Sequence, residues 1–173
     1  MRGGIVRTFA FFLLSLALFA PVSASAQSIQ RIDVYEHGTY QTDQGVEDKP
    51  TRQGIERQLV SGAKHLETAR TIIAQLGTQF GFRYRVVGAP NGLPVPVRIV
   101  AKFPAPGVMG KNNPKPVLAD DYVEFATIGK EDFLTWTFEK RTDLVPGIWT
   151  FEIWSGDRKL VDEKFNIVLP PIS

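Results

Sequence analysis

The chain contains no cysteine among its 173 residues. That removes disulfides, thiol nucleophiles, thiolate metal sites and a lipid-modified cysteine anchor together. Histidine is nearly as scarce, with only His37 and His65. They form no His-x-x-x-His or His-x-His pair, which is the spacing that points two imidazoles at one metal. No long run of one charge occurs. The nearest basic groupings, Arg83 with Arg85 and Lys111 with Lys115, are pairs, which argues against nucleic acid or another polyanion as partner. No Gly-x-Ser-x-Gly elbow surrounds Ser61, Ser155 or Ser173, so a serine hydrolase has no support. Gly77 to Gly81 lacks the lysine and the following helix of a phosphate-cradling loop. No cofactor is expected.

The one long apolar stretch is residues 9–20. At 12 residues it is shorter than the roughly 20 needed to cross a hydrocarbon core. Arg2 and Arg7 precede it, Pro21 breaks it, and Ala24-Ser25-Ala26 follows with small residues where a signal peptidase reads. Basic, apolar, then small is the layout of a cleavable secretory signal. Residues 1–26 are therefore expected to be removed and Gln27 to become the N-terminus. The expected location is periplasmic or secreted, without a lipid anchor or membrane insertion after cleavage. The signal also holds two of the 20 basic residues and none of the 18 acids, so residues 27–173 balance at 18 against 18. The basic isoelectric point of the whole chain then says nothing about a basic surface.

Residues 27–173 are long enough for one ordinary domain held by its core. Most of that length alternates apolar and polar side chains with period two, the pattern of half-buried strands. Residues 29–40 read as a first strand and the polar stretch 41–56 as a loop. Phe80, Phe82, Tyr84 and Val86 share one face, opposite Arg83 and Arg85. Val95, Val97, Ile99, Ala101 and Phe103 repeat the pattern, opposite Arg98 and Lys102. Strands follow at 122–128, 133–139, 148–154 and 159–169, the last two as a hairpin turning at 155–158. Four prolines within 104–116 make that segment a long irregular loop. Segment 63–76 fits two templates. Leu66, Ala69, Ile72 or Ile73, and Leu76 suit a helical stripe capped by Gly77, whereas the surrounding pattern suits a strand that turns at Gly77 and pairs with 78–87. The strand reading is preferred. Seven to eight short strands at this spacing predict a single all-β antiparallel sandwich.

Phe80-Gly81-Phe82-Arg83-Tyr84 with Gly88-Ala89-Pro90-Asn91-Gly92, and Pro146-Gly147-Ile148-Trp149-Thr150-Phe151-Glu152-Ile153 closing on Phe165, resemble a bacterial family termed domain of unknown function 3859. The resemblance spans about 29–169. It implies a secreted β-sandwich of immunoglobulin-like shape and carries over no catalytic residues.

Aromatic side chains are the stronger lead to a surface. Trp149, Phe151 and Ile153 face one way along their strand, and Trp136 with Phe138 shares a face with Leu134, so these are expected in the core. Trp154 points the other way beside Glu152 and precedes a turn. It suits an interface residue near Arg158, or a place under the long loop. Asp120, Asp121 and Glu124, and Asp43, Glu47 and Asp48, offer carboxylates but not the spacing of a calcium loop. The expected partner surface combines the 104–118 loop, through Val108, Met109, Lys111 and Lys115, with the exposed side of the 148–158 hairpin, through Glu152, Trp154 and Arg158. It requires loop and hairpin to lie at the same end. The expected role is a non-catalytic binding or assembly module for a protein or cell-envelope component. The alternative is a metal-dependent hydrolase built on His37 or His65 with neighbouring acids.

Overall fold

The computed structural model describes residues 27–43, 45–48, 50–60, 62–111 and 113–171. The expected signal, Ser61 and Ser173 lie outside them. Eleven strands occur among the described residues, more than the seven to eight that alternation predicts: β1 (Ser28–Gln41), β2 (Val46–Asp48), β3 (Arg57–Leu59), β4 (Lys64–Glu67), β5 (Thr71–Ile73), β6 (Gln79–Ala89), β7 (Pro94–Lys102), β8 (Ala119–Thr127), β9 (Glu131–Thr137), β10 (Gly147–Ser155) and β11 (Arg158–Val168). They form a four-stranded sheet ordered β4-β1-β6-β9, a five-stranded sheet ordered β5-β11-β10-β7-β8, and the ribbon β2-β3. All pairings are antiparallel except β5 with β11. No helix among the described residues is long and apolar enough to cross a membrane.

The alternation places the core as expected. Phe80, Phe82, Tyr84 and Val86 of β6 are buried, and so are Val95, Val97, Ile99 and Ala101 of β7. Arg83 and Arg85 point away from the core and pair with Glu36 and Glu131. Trp149 is fully buried and meets Phe80, Phe103, Trp136 and Phe138 in edge-to-face contacts at 4.8–5.9 Å. Such pairs add about 0.5–1.5 kcal/mol each beyond area burial. The Trp149 indole N–H donates to the Val145 carbonyl at 2.8 Å, so the ring's one polar atom is satisfied inside the core.

Two readings need correction. Residues 41–56 are not wholly loop, because Val46–Asp48 pairs with Arg57–Leu59 in the small ribbon. Segment 63–76 is extended, but it is neither one strand nor a partner of β6. β4 joins β1 in the first sheet, and β5 joins β11 in the second. The Asn166 N–H donates to the Arg70 carbonyl at 2.7 Å and the Ala74 N–H to the Val168 carbonyl at 2.8 Å, so this backbone is spent on β11 and not on helical bonds. Ile72 and Ala74 are buried while Leu66, Ile73 and Leu76 are exposed, which splits the helical stripe. Gly77 does turn the chain, at φ +84°, but the turn leads into the opposite sheet.

β8 and β9 follow one another through the turn at 128–130 yet end up in different sheets. Each is the last strand of its sheet, so the sandwich is open along the side between them. The crossing from β9 back to the second sheet runs through a short 3-10 turn, Arg141–Asp143. The Asp143 carboxylate accepts the N–H groups of Glu139 and Lys140 there, at 3.1 and 2.9 Å.

Candidate functional site

The open side holds a cleft of about 210 Å³. Alternation along β8 points Asp120, Tyr122 and Glu124 inward, on the face that also carries the buried Ala126. β9 contributes Asp132 through Thr137 from the other sheet, including Trp136. Residues 55–57, Met109 and the 139–143 crossing add to the lining, as does Phe151 of β10.

The lining is acidic. Glu56, Asp120, Glu124, Asp132, Glu139 and Asp143 face Arg57 and Lys140 as the only bases. Glu56 binds Lys140, and Lys111 at 3.0 Å. Arg57 lies 3.9 Å from the centre of the Tyr122 ring and 3.2 Å from the Glu124 carboxylate. Burial raises the carboxyls of Asp120, Asp132 and Asp143 above the ordinary range, against the opposing pull of their hydrogen bonds. Those bonds come from the Thr51 hydroxyl and the Asp121 N–H for Asp120, from the Phe133 N–H and Tyr84 hydroxyl for Asp132, and from the two backbone N–H groups for Asp143.

Two polar atoms in this lining have no hydrogen-bond partner: Oδ1 of Asp120, a residue 1 % exposed, and the indole Nε1 of Trp136. Buried polar atoms are ordinarily paired, since leaving one unpaired costs about 1–3 kcal/mol. An acceptor and a donor left unpaired on residues of one lining make this cleft the candidate site.

The residues expected to form the partner surface fall in different places. Val108 is fully buried and bridges Val117, so it belongs to the core and not to a surface. Glu152 is also buried, at 2 % exposure, enclosed by Trp154, Lys102 and Lys159. Trp154 is half-buried, with the Arg98 guanidinium 5.0 Å and the Lys159 ammonium 5.7 Å from its ring centre. It does not lie under the long loop. Arg158 donates to the carbonyls of Gln30 and Ile29 at 2.9 and 3.4 Å, tying the hairpin to β1. Lys111 and Lys115 are exposed. Of the seven, only Met109 lines the cleft, with Lys111 bracing its rim through Glu56.

Loop and hairpin turn also lie at opposite ends. β7 and β10 pair with Lys102 opposite Thr150 and Arg98 opposite Trp154. The loop leaves from the Lys102 end, and Pro104 sits so close to Gly147 that an added Cβ there would come within 2.9 Å of it. The hairpin turn lies past Trp154, at the other end. Register thus puts the loop beside the Gly147–Thr150 end of the hairpin and away from its turn.

Among the described residues, neither the histidines nor Asp120, Asp121 and Glu124 make a metal centre. His65 Nε2 lies 3.3 Å from the His37 carbonyl, and its Nδ1 lies 3.8 Å from Glu36. Burial and the nearby Arg70 lower the His37 imidazole below its ordinary value. Asp121 points away from Asp120 and Glu124 and bonds Gln53 at 3.3 Å instead. Among the described residues no group of three or more His, Cys, Asp or Glu is placed to hold a metal ion. The Glu47 and Asp48 side chains lie outside what is described.

Neither Asp120 nor Trp136 stands out as a binding residue in the sequence. One signal was available: Asp120 and Glu124 occupy the core-facing positions of their strand. A carboxylate on an apolar face is either paired or functional.

The family model described as Domain of unknown function (DUF3859) matches residues 27–167. The chain belongs to this family. Among solved structures, the chain is similar to an immunoglobulin-like protein from Pseudomonas aeruginosa, at 21 % identity and a TM-score of 0.56, with 84 % of this chain and 99 % of that chain covered. That likeness shows the fold, an immunoglobulin-like β-sandwich. No curated protein matches the chain.

Proposed function

We propose that this DUF3859 protein is a non-catalytic binding module of the bacterial cell envelope, exported by residues 1–26, and that the cleft between β8 and β9 is its recognition site. The observation that carries this reading is the pair of unpartnered buried atoms, Asp120 Oδ1 and Trp136 Nε1, on residues that line one cleft from both sheets. A binding role is favoured over a catalytic one by what surrounds them. Among the described residues the cleft lining holds no histidine or serine, and Asp132 and Asp143 are committed to hydrogen bonds within the chain. The immunoglobulin-like fold itself is neutral on the question, since function resides in sites and not in folds.

The test is a thermal-shift screen of residues 27–173 against small components of the cell envelope, run in parallel on Trp136→Phe, which removes the indole N–H and keeps an aromatic ring. Ligands that raise the melting temperature of the wild type and not of the variant are expected. If every stabilising compound acts equally on both, the cleft is not the recognition site. Export is tested by intact mass of protein recovered from the periplasm, where a mass beginning at Gln27 is expected and one that includes Met1 refutes it.

A further inference from the structure

A sheet edge carries unpaired backbone groups, and proteins guard it with prolines, charges, bulges or very short strands. Guards of that kind stand at other edges of this fold. β4 and β5 are only four and three residues long. β1 is bulged between Ile29 and Arg31 and between Val34 and Glu36, and Arg158 sits on its Ile29 and Gln30 carbonyls. The part of β7 that runs past β10 holds Pro94 and Pro96. β8 ends the second sheet with nine residues and has no proline, lysine or bulge. It also bears the two most exposed large apolar side chains among the described residues, Phe125 at 68 % and Val123 at 61 %. Both lie on the face away from buried Ala126, with Pro96 opposite Phe125 on β7.

Hydrogen bonds at the two ends of β8 fix which of its backbone groups are open. The Phe103 N–H donates to the Leu118 carbonyl at 2.9 Å, and the Ile128 N–H to the Leu93 carbonyl at 3.0 Å. Even-numbered residues therefore turn to β7, while Asp121, Val123, Phe125 and Thr127 turn their N–H and C=O groups outward. The Asp121 N–H is taken by the Asp120 carboxylate, and Gln53 holds the Asp121 side chain, so that end is covered. Val123 to Thr127 is the open stretch. Of its outward groups, only the Thr127 carbonyl accepts a backbone bond among the described residues, from Lys130.

We infer that β8 pairs antiparallel with β8 of a second copy about a two-fold axis at Phe125, joining two five-stranded sheets into one. Register and charge select this occupant. With the axis at Phe125, each Phe125 exchanges both hydrogen bonds with its symmetry mate, Val123 faces Thr127, and Glu124 faces Ala126. An axis at Glu124 would set two carboxylates directly opposite one another. An axis at Val123 would need the Asp121 N–H that Asp120 already holds. Residues 27–173 carry 18 bases and 18 acids, so net charge does not drive two copies apart. One strand pair with two apolar side chains from each copy is small against the ~800 Å² per partner of standard complexes, so the dimer is weak and reversible.

Sedimentation velocity of residues 27–173, which hold every described strand and the whole core, is expected to show a monomer–dimer equilibrium between about 10 µM and about 1 mM. Phe125→Lys and Phe125→Glu, each checked for folding by circular dichroism, set like charges across the axis and are expected to weaken association about tenfold or more. An equimolar mixture of the two sets a cation against an anion and is expected to restore it. Ile73→Lys, at an exposed site on β5, is expected to associate as the wild type does. A wild type that stays monomeric throughout overturns the inference and leaves the edge to a strand of another protein. Association that survives Phe125→Lys, that Ile73→Lys weakens as much, or that the mixture fails to restore also overturns it.

Discussion

Trp154 donates its indole N–H to Glu152 Oε2 at 2.9 Å, two residues back on the same strand, while Lys102 and Lys159 reach the other carboxylate oxygen at 2.7 and 3.1 Å. A carboxylate on the outer face of a sheet is thereby buried by its own partners. Burial alone would push its carboxyl up, and the three donors outweigh that and hold it below the ordinary range.

The stability that Glu152 contributes follows from that sign. A carboxyl whose folded value is depressed stabilises above its unfolded value, 4.5, and the contribution is lost as pH falls through the folded value. Glu152→Ala strands the Trp154 N–H and is expected to lower unfolding free energy by about 1–3 kcal/mol at pH 7. In urea titrations the gap between wild type and variant is expected to narrow as pH falls below 4.5.

Asp120 has the opposite sign. Its folded value is raised above the unfolded 3.8 by burial, so its contribution is present below 3.8 and is lost as pH rises through the folded value. Asp120→Asn, which mimics the protonated form, is expected to stabilise at pH 7 by about 1 kcal/mol. That corresponds to a melting temperature about 2–4 °C higher, as measured by calorimetry, for a protein of this size. Towards pH 3.5 the difference is expected to vanish. A destabilised variant at pH 7 would show that the Thr51 bond outweighs the buried charge.

The two tryptophans of the core are expected to differ. Trp149→Phe breaks a buried hydrogen bond to Val145 and opens a gap at the centre of the aromatic cluster, whereas Trp136→Phe removes an N–H that has no partner. Equilibrium unfolding is expected to show the Trp149 change costing about 2–4 kcal/mol, within the range of large-to-small core substitutions, and at least about 1 kcal/mol more than the Trp136 change.

Gly38 is expected to tolerate no side chain. Its φ is +143°, and a Cβ there would lie 1.8 Å from the Glu67 carbonyl oxygen, where β1 pairs with β4. Gly92 has φ +82° but open space around it. Gly92→Ala is expected to lose about 1–2 kcal/mol from backbone strain alone. Gly38→Ala is expected to lose more than that, because the backbone of β4 must also move away. Urea midpoints of the two variants decide it.

Strand identity is a local property, and it was legible. Period-two alternation needs only neighbouring residues, so β6, β7 and the β10–β11 hairpin, with Trp149 on the buried face, follow from the order of side chains. The family resemblance rested on those same residues and held across the matched region. Which sheet a strand joins is not local. Two templates competed over residues 63–76, and the answer, two short strands in two sheets, came from the backbone groups that β1 and β11 leave open. Burial of charge is no more local: Glu152 reads as exposed by alternation, and only the lysines and Trp154 gathered around it take it out of water. Val108, in a proline-rich loop that reads as surface, is drawn into the core because the loop folds back until Val108 pairs with Val117. The cleft depends most on the whole fold. Asp120 and Trp136 belong to different sheets, and they come to line one cleft only because β8 and β9 end their sheets side by side.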